Sequence, residues 1–163
     1  MKFQSKFGSY KIIFSQDALT ALNQYVQRSP DQNESGGVLL GRLLHSGHIV
    51  VDEITTPQPN DKATPTTFFR SDDHQTLIDD AWKRSEGTCL YLGEWHTHAE
   101  EIPFPSKVDL DDWHRRLQTD KPSIDSTLFL IVGTCAIVLY EGRRDPDCGT
   151  GWHELTIPVR INE

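Results

Sequence analysis

The longest apolar stretch of the chain runs from Leu128 to Tyr140 and restricts the fold more than any other segment. It is too short to cross a bilayer as a helix, which takes about 20 apolar residues. Gly133 and Thr134 interrupt it, and two apolar runs joined by such a break are typical of a buried β-hairpin. Residues 126–142 are therefore predicted to form a hairpin, and residues 152–161 a last strand.

Three helices are predicted upstream of this hairpin. Apolar residues recur at helical spacing in residues 15–29, and acids fill the first turn of residues 71–85, where the helix dipole favours them. The third helix covers residues 106–120. Serine is a favoured N-cap, so these helices are expected to begin after Ser15, Ser71 and Ser106.

Apolar runs also predict three earlier strands, at residues 36–44, 48–55 and 88–96. The first two are joined by a turn at Ser46 and Gly47. The Pro-rich passage 56–67 and the polar passage 142–151 are expected to be exposed loops. The resulting order of helices and strands predicts an α/β (α+β) sandwich built around one sheet, with residues 1–163 as a single domain.

Composition narrows the classes of function. The chain has 16 Lys and Arg against 24 Asp and Glu, a net charge of -8, and no basic stripe, so nucleic acid is not an expected partner. The first residues contain no apolar core long enough for a signal peptide. We therefore expect a cytoplasmic protein without a membrane partner.

The three cysteines, Cys89, Cys135 and Cys148, are odd in number and far apart. Because no two of them form a CxxC pair, a cysteine zinc site and a disulfide framework are both disfavoured. None is expected to be catalytic.

Two histidines a residue apart, His96 and His98, follow the apolar run of the third predicted strand. Side chains alternate along a strand, so these two point the same way at its end, as they would not on a helix. Neutral imidazole is a favoured zinc ligand. The pair alone is a weak signal, because a polar loop rich in histidine gives the same spacing.

A third ligand is available at the start of the next helix. Ser106 and Asp109 have the S-x-x-D spacing of a capping box, which fixes the direction in which a helix begins. A short loop then brings the Asp109 carboxylate back to the strand end. Taken alone, Ser106 is more simply an N-cap, and the five other histidines are more simply surface or packing residues.

Together, His96, His98, Ser106 and Asp109 resemble the JAMM motif of the MPN-type zinc metalloproteases, H-x-H, seven residues, Ser, two residues, Asp. The family also places a glutamate beside a Gly-rich apolar strand, and Glu34 matches it. Many relatives have proline after the second histidine, where this chain has Ala99. The resemblance covers nearly the whole chain, and among relatives it is most like the small bacterial deconjugating proteases of CBASS antiphage operons.

The resemblance implies one mixed, mainly antiparallel sheet flanked by helices. It implies one Zn²⁺ per chain on His96, His98 and Asp109, with Glu34 as the general acid-base group and Ser106 as an oxyanion donor. The implied reaction is hydrolysis of the bond after the C-terminus of a ubiquitin-like protein, in antiviral defence. The implied partners are ubiquitin-like conjugates, or a target bearing a C-terminal tail linkage, and E1-like and E2-like proteins of the same operon.

Two other functions stay open at this point. One is a non-catalytic scaffold of the same fold, which the intact set of five residues disfavours. The other is a peptidase that matures the precursor of a ubiquitin-like sulfur carrier. The loops 56–67 and 142–151 are candidates for holding the globular part of the substrate, and Glu100 and Glu101 are expected to be solvated loop acids. A free strand edge near the metal would bind an extended tail.

Overall fold

In a computed structural model, the chain is described for residues 1–120, 124–145, 149–154 and 159–160. These residues form three helices, α1 (Gln16–Asn23), α2 (Asp73–Arg84) and α3 (Lys107–Thr119). Their strands, in chain order, are β1 (Lys2–Gln4), β2 (Lys11–Phe14), β3 (Gly36–Leu43), β4 (Ile49–Ile54), β5 (Lys62–Thr64), β6 (Thr67–Phe69), β7 (Leu90–Thr97), β8 (Thr127–Val132), β9 (Ala136–Asp145), β10 (Gly149–Glu154) and β11 (Val159–Arg160).

One sheet of nine strands organises the domain, in the order β1-β2-β4-β3-β7-β8-β9-β10, with β11 also paired to β9. The β2–β4 and β7–β8 pairs are parallel and the others are antiparallel. Strands β5 and β6 form a separate hairpin. The expected mixed, mainly antiparallel sheet with flanking helices is confirmed.

The helices cover both faces of this sheet. Neighbouring residues of β8 alternate between two cores, since Leu128 and Leu130 pack with residues of α1 while Phe129 and Ile131 pack under Trp113 of α3. A third cluster holds α2 against β3. This alternation is the period of two that a doubly covered strand requires. No helix of the described residues is both long and apolar enough to cross a membrane.

Strand β7 lies at the centre of the sheet and contains a β-bulge. The register with β3 shifts between Leu39 and Leu40, which oppose Gly93 and Tyr91, so that Leu92 is the extra residue. Gly93 has φ +151 and lies so close to the backbone of Leu128 that a Cβ would not fit. The bulge changes which residues share a face. Leu92 and Trp95 therefore both enter the α1 core although they are three residues apart.

Several sequence predictions fail at element ends. Helix α1 ends at Asn23 and not at residue 29, because Val26 and Gln27 turn inward and are buried. Ser15 does cap α1, accepting a bond from the backbone of Ala18. Ser71 does not cap α2. Its hydroxyl donates to Asp61 instead, and Asp72 occupies the N-cap position without a side-chain bond.

The two predicted loops are also corrected. The passage 56–67 contains all of β5 and the first residue of β6, where β-branched and aromatic residues outweigh the flanking prolines. In the passage 142–151, residues 142–145 continue β9 and residues 149–151 begin β10. Residues 146–148, with Cys148, lie outside the described part of the chain. The strands β1 and β2 were not predicted from the sequence.

Candidate metal centre

His96 and His98 come from the C-terminal end of β7, where their side chains leave the sheet on the same side. His96 lies within the strand and pairs with Gly36 of β3, while the backbone N–H of His98 donates to Val132 at 3.0 Å. Both are buried, and their Nε2 atoms are 3.1 Å apart. Two neighbouring imidazoles held this way direct two nitrogen lone pairs to a common point.

Asp109 reaches the same point from the first turn of α3. Ser106 accepts a bond from the backbone N–H of Asp109 at 3.2 Å, and the backbone N–H of Ser106 donates to Asp109 Oδ2 at 2.6 Å. The predicted capping box is thus present and fixes the carboxylate. Trp113, one turn further on, stacks on Phe129 with ring centroids 4.8 Å apart and holds the helix on the sheet.

Three side chains form a near triangle, whose corners are the two imidazole Nε2 atoms and the carboxylate group of Asp109. The edges are 3.1 Å between the two histidines, 3.4 Å from His96 Nε2 to Asp109 Oδ1, and 3.3 Å from His98 Nε2 to Asp109 Oδ2. Tetrahedral zinc with bonds of about 2.0–2.1 Å separates its ligands by about 3.3–3.4 Å. The spacing and chemistry of these groups therefore fit a divalent cation with two nitrogen ligands and one oxygen ligand.

Glu34 completes the cluster from the residue pair that precedes β3. Its backbone N–H donates to Thr64 of β5, and the next backbone N–H, of Ser35, donates to the Thr97 hydroxyl. Its Oε1 lies 3.7 Å from His98 Nε2, and Glu34, His96 and His98 each offer a ligand atom within 4.8 Å of the others. Its Oε2 is buried and has no hydrogen-bond partner among the described residues. That oxygen is free for a bound ion or a reacting proton.

Two carboxyl groups of the cluster have opposite protonation behaviour. Burial raises the pKa of Glu34, and the positive charge of the nearby His96 and His98 lowers it. The effect of burial is larger, so this pKa is about 7. Burial also acts on Asp109, but hydrogen bonds from His96 and His98 outweigh it and hold the pKa of this carboxyl well below its usual range. Two carboxyl groups whose surroundings move their pKa values in opposite directions are typical of sites that need one fixed anion and one proton carrier.

An open cleft of about 260 Å³ adjoins the cluster. Its walls include Glu34, His98 and Ser106, with Pro65 and Thr66 from the turn between β5 and β6. Because the Ser106 hydroxyl accepts the capping bond, its own proton remains available to a group in this cleft. Three of the five residues singled out in the sequence thus line this cleft, and the other two, His96 and Asp109, contact His98 at 3.1 and 3.3 Å.

Sequence reasoning missed two contributors to this site. One is the β5–β6 hairpin, whose Phe68 ring covers Gly36 beside His96 so closely that a Cβ on Gly36 would not fit. The run of Thr and Phe at residues 66–69 was the available signal. The other is a second role of Glu100, which is exposed, as expected of a solvated acid, but also contacts the site. Its carboxylate accepts a bond from the backbone of Phe104 at 3.1 Å and lies 3.9 Å from His98 Nδ1.

The remaining histidines lie elsewhere. His74 is fully buried, bonded to Asp61 and Thr55, and His48 accepts a bond from the backbone of Lys11. His45 is exposed and His114 lies on the outer side of α3, bonded to Gln118. The side chain of His153 lies outside the described residues. The structure gathers only His96 and His98, of the six histidines whose side chains it describes, into a potential metal site.

The chain matches a protein family over most of its length. The model described as prokaryotic homologs of the JAB domain matches residues 15–144. Two solved structures share the fold at low identity. A protein from Desulfitobacterium hafniense has a TM-score of 0.58 at 19% identity, covering 93% of this chain and 95% of that one. A protein from Salinibacter ruber has a TM-score of 0.52 at 16% identity, covering 90% and 91%.

Similar curated proteins carry the name CD-NTase/cGAS isopeptidase. The protein from Pseudomonas aeruginosa is 37% identical over 127 residues, which are 77% of this chain and 79% of that one. The protein from Vibrio cholerae is 39% identical over 123 residues, 75% and 76% of the two chains. The protein from Escherichia coli is 35% identical over 132 residues, 80% and 81%.

Proposed function

Because the chain belongs to the prokaryotic JAB family, we propose that it is a zinc-dependent isopeptidase of CBASS antiphage defence. It hydrolyses the amide bond between the C-terminal tail of one protein and an amine of another. The relatives' names, at 35–39% identity, make conjugates that contain a CD-NTase the first substrate class to consider. Conjugates of a ubiquitin-like protein, which the sequence predicted, are the second. E1-like and E2-like proteins would form either conjugate.

The triangle of His96, His98 and Asp109 is the observation that carries this proposal. Its three edges of 3.1–3.4 Å fit a tetrahedral zinc ion, and these three residues would hold it. When bound, zinc supplies a Lewis acid and makes water a good nucleophile near neutral pH. A scaffold that only binds partners has no need of four convergent, buried polar groups.

Glu34 is the proton carrier of the proposed reaction. Its unpaired Oε2 accepts the proton that the attacking water loses as the water oxygen bonds to the scissile carbonyl carbon. Glu34 then gives this proton to the amine as the C–N bond breaks. The products are a free amine and a C-terminal carboxylic acid, which loses its remaining proton to solvent at neutral pH. A pKa of about 7 suits a group that must both accept and donate.

Ser106 stabilises the negative charge that develops on the carbonyl oxygen. Ser106 lines the cleft, and its hydroxyl proton can turn toward a substrate there because the capping bond uses only a lone pair of the oxygen. Hydrogen-bond donors of this kind act most strongly in a site that excludes water. The same side chain therefore fixes Asp109 and serves the reaction.

The β5–β6 hairpin is the proposed binding place for the tail. Among the described residues no strand pairs with the outer edge of β6. Phe68 and Phe69 of that strand line a narrow gap of about 20 Å³ together with His96 and Asp109. An extended tail that added to this edge would run beside the metal ligands, and its successive side chains, on opposite faces, would lie beside Phe68 and Phe69.

A defined conjugate tests the proposal. Zinc-loaded protein is incubated with a CD-NTase joined through its C-terminal carboxyl to a lysine side chain, and in parallel with an equivalent conjugate of a ubiquitin-like protein. Mass spectrometry should find a CD-NTase that ends in its own carboxylate and a target with a free lysine. Glu34→Gln protein should release neither product. Cleavage of neither conjugate, or cleavage that continues in excess chelator, would refute the proposal.

A further inference from the structure

A largely buried ionic cluster lies beside the metal centre, on the same face of β7. Glu94, two residues before His96, uses one oxygen, Oε1, for two arginines. It accepts a bond from Arg70 Nε and lies 3.2 Å from Arg116 Nε. The exposed fractions of these three side chains are only 11–14%. Glu94 is thus a single acceptor shared by two cations from different elements.

Each arginine belongs to one wall of the catalytic cleft. Arg70 directly follows β6, so it anchors the end of the β5–β6 hairpin, and its Nη2 also lies 3.4 Å from Asp120 at the end of α3. Arg116 lies on α3, seven residues after Asp109 and hence on the same side of the helix. Its Nε is also 3.4 Å from Asp112.

The cluster adjoins the metal centre directly. The gap of about 20 Å³ that touches His96 and Asp109 is also lined by Arg70, Glu94 and Asp112. This volume is about that of one water molecule. Burying charges costs free energy that apolar side chains of similar size would not, so such a cluster is best explained by the directions that its bonds impose.

We propose that Glu94 is a positioning residue that fixes both walls of the cleft. Through Arg116 it holds α3 in the position, relative to the sheet, that presents Asp109 to the two histidines. Through Arg70 it holds the β5–β6 hairpin over the same histidines. The part that concerns substrate binding rests on the proposed isopeptidase function, whereas the part that concerns Asp109 does not.

The contact of Glu94 with Arg116 and its contact with Arg70 predict separable effects. Both arginines reach Glu94 through Nε, which lysine lacks, so Lys at either position keeps the charge and loses the contact. Arg116→Lys should weaken zinc affinity at least tenfold, about the effect of losing a group that orients a metal ligand, because α3 then presents Asp109 less accurately. Hydrogen exchange in residues 62–69 should stay normal. Arg70→Lys should leave zinc affinity within twofold, because its contact with α3 is at Asp120, at the opposite end of the helix from Asp109. It should speed exchange in residues 62–69 and raise KM more than it lowers kcat. Glu94→Gln should do both.

The experiment measures zinc affinity by competition with a chromogenic chelator, hairpin exchange by mass spectrometry, and KM and kcat on whichever conjugate the wild type cleaves. Arg84→Lys is the matched control, since it alters an exposed pair with Glu53 and should change none of these. If Glu94→Gln fails to fold, the two Lys variants decide. Equal effects of both Lys variants on both walls, or normal zinc affinity and exchange in Glu94→Gln, would overturn the proposal. If no conjugate is cleaved, the proposed function fails while zinc affinity and exchange still test Glu94.

Discussion

Ser106 and Asp109 each bind the backbone N–H of the other, at 3.2 and 2.6 Å, so one pair of side chains both starts α3 and aims a potential metal ligand. In most helices that begin with a capping box, the box only satisfies the first N–H groups of the helix. Here the carboxylate that closes the box also faces His96 and His98. The stability of this helix end and the geometry of the centre are therefore coupled.

Substitution of Ser106 should expose this coupling. Ser106→Ala should reduce kcat by about a hundredfold to a thousandfold through loss of an oxyanion donor, and should lower the free energy of unfolding by about 1 kcal/mol through loss of the cap. Urea denaturation and steady-state kinetics measure the two losses. Ser15→Ala, which removes the equivalent cap of α1 far from the cleft, should lose the stability and keep the rate. A Ser106→Ala enzyme of normal rate would remove Ser106 from the mechanism.

Glu34 should be separable from the ligands. Glu34→Gln should lower the cleavage rate at least a hundredfold, because general acid-base groups contribute about that much or more, and should retain zinc. Metal analysis and kinetics of the same preparation test both statements. Because Glu34 lies within 4.8 Å of both histidines, loss of zinc in this variant would instead make it a ligand.

The metal content of the protein should depend on His96, His98 and Asp109. Protein purified without chelator should contain about one zinc per chain, as expected for a three-ligand site, and His96→Ala should lose it. Elemental analysis measures both. His45→Ala, at an exposed histidine away from the site, should keep the full content. Full zinc content in His96→Ala would contradict the assignment.

Asp61 should make the fold sensitive to acid. Burial raises the pKa of this carboxyl, but bonds from the backbone of Gln58, from His74 and from Ser71 lower it further, so it lies below its usual value. The stability it gives is complete above about pH 4, its unfolded pKa, and is lost as the pH falls through the lower folded pKa. Asp61→Asn should lower the free energy of unfolding at pH 7 by about 2 kcal/mol and flatten its decrease in acid.

Urea denaturation between pH 7 and pH 3 tests this expectation. Asp79→Asn, at an exposed carboxyl of α2, should leave the curve of the wild type almost unchanged. An Asp61→Asn variant that loses as much stability in acid as the wild type would show that other groups dominate.

Thiol modification should leave cleavage intact. Cys135 is exposed and should be alkylated under native conditions, whereas burial raises the pKa of Cys89 to about 11 and should protect it. Iodoacetamide treatment followed by peptide mapping and an activity assay measures both outcomes. Activity that disappears on alkylation but survives a chelator would contradict a zinc mechanism.

The sequence predicted well what depends on local chemistry. The caps at Ser15 and Ser106, the β3–β4 and β8–β9 hairpins and the spacing of His96 and His98 all follow from short patterns. Asp109 was expected near the strand end because a capping box has one geometry. Such predictions succeed because the residues concerned are bonded within a few positions of each other.

What could not be predicted depends on distant partners. Ser71 looks like an N-cap, but Asp61 takes its hydroxyl. The prolines around residues 57–65 suggest a loop, yet the short β5–β6 hairpin forms where Phe68 can cover Gly36. Glu94 seems an ordinary strand acid until Arg70 and Arg116, from two other elements, converge on it. No local pattern contains this information.

The bulge at Leu92 makes the position of the metal centre depend on the number of residues in β7. Without the extra residue, every side chain after Gly93 would exchange faces, and the two histidines would enter the α1 core in place of Trp95. No intermediate arrangement exists, because a side chain of a strand lies on one face of the sheet or on the other. Any insertion or deletion between Leu90 and His96 that keeps this chemistry therefore has to come in pairs.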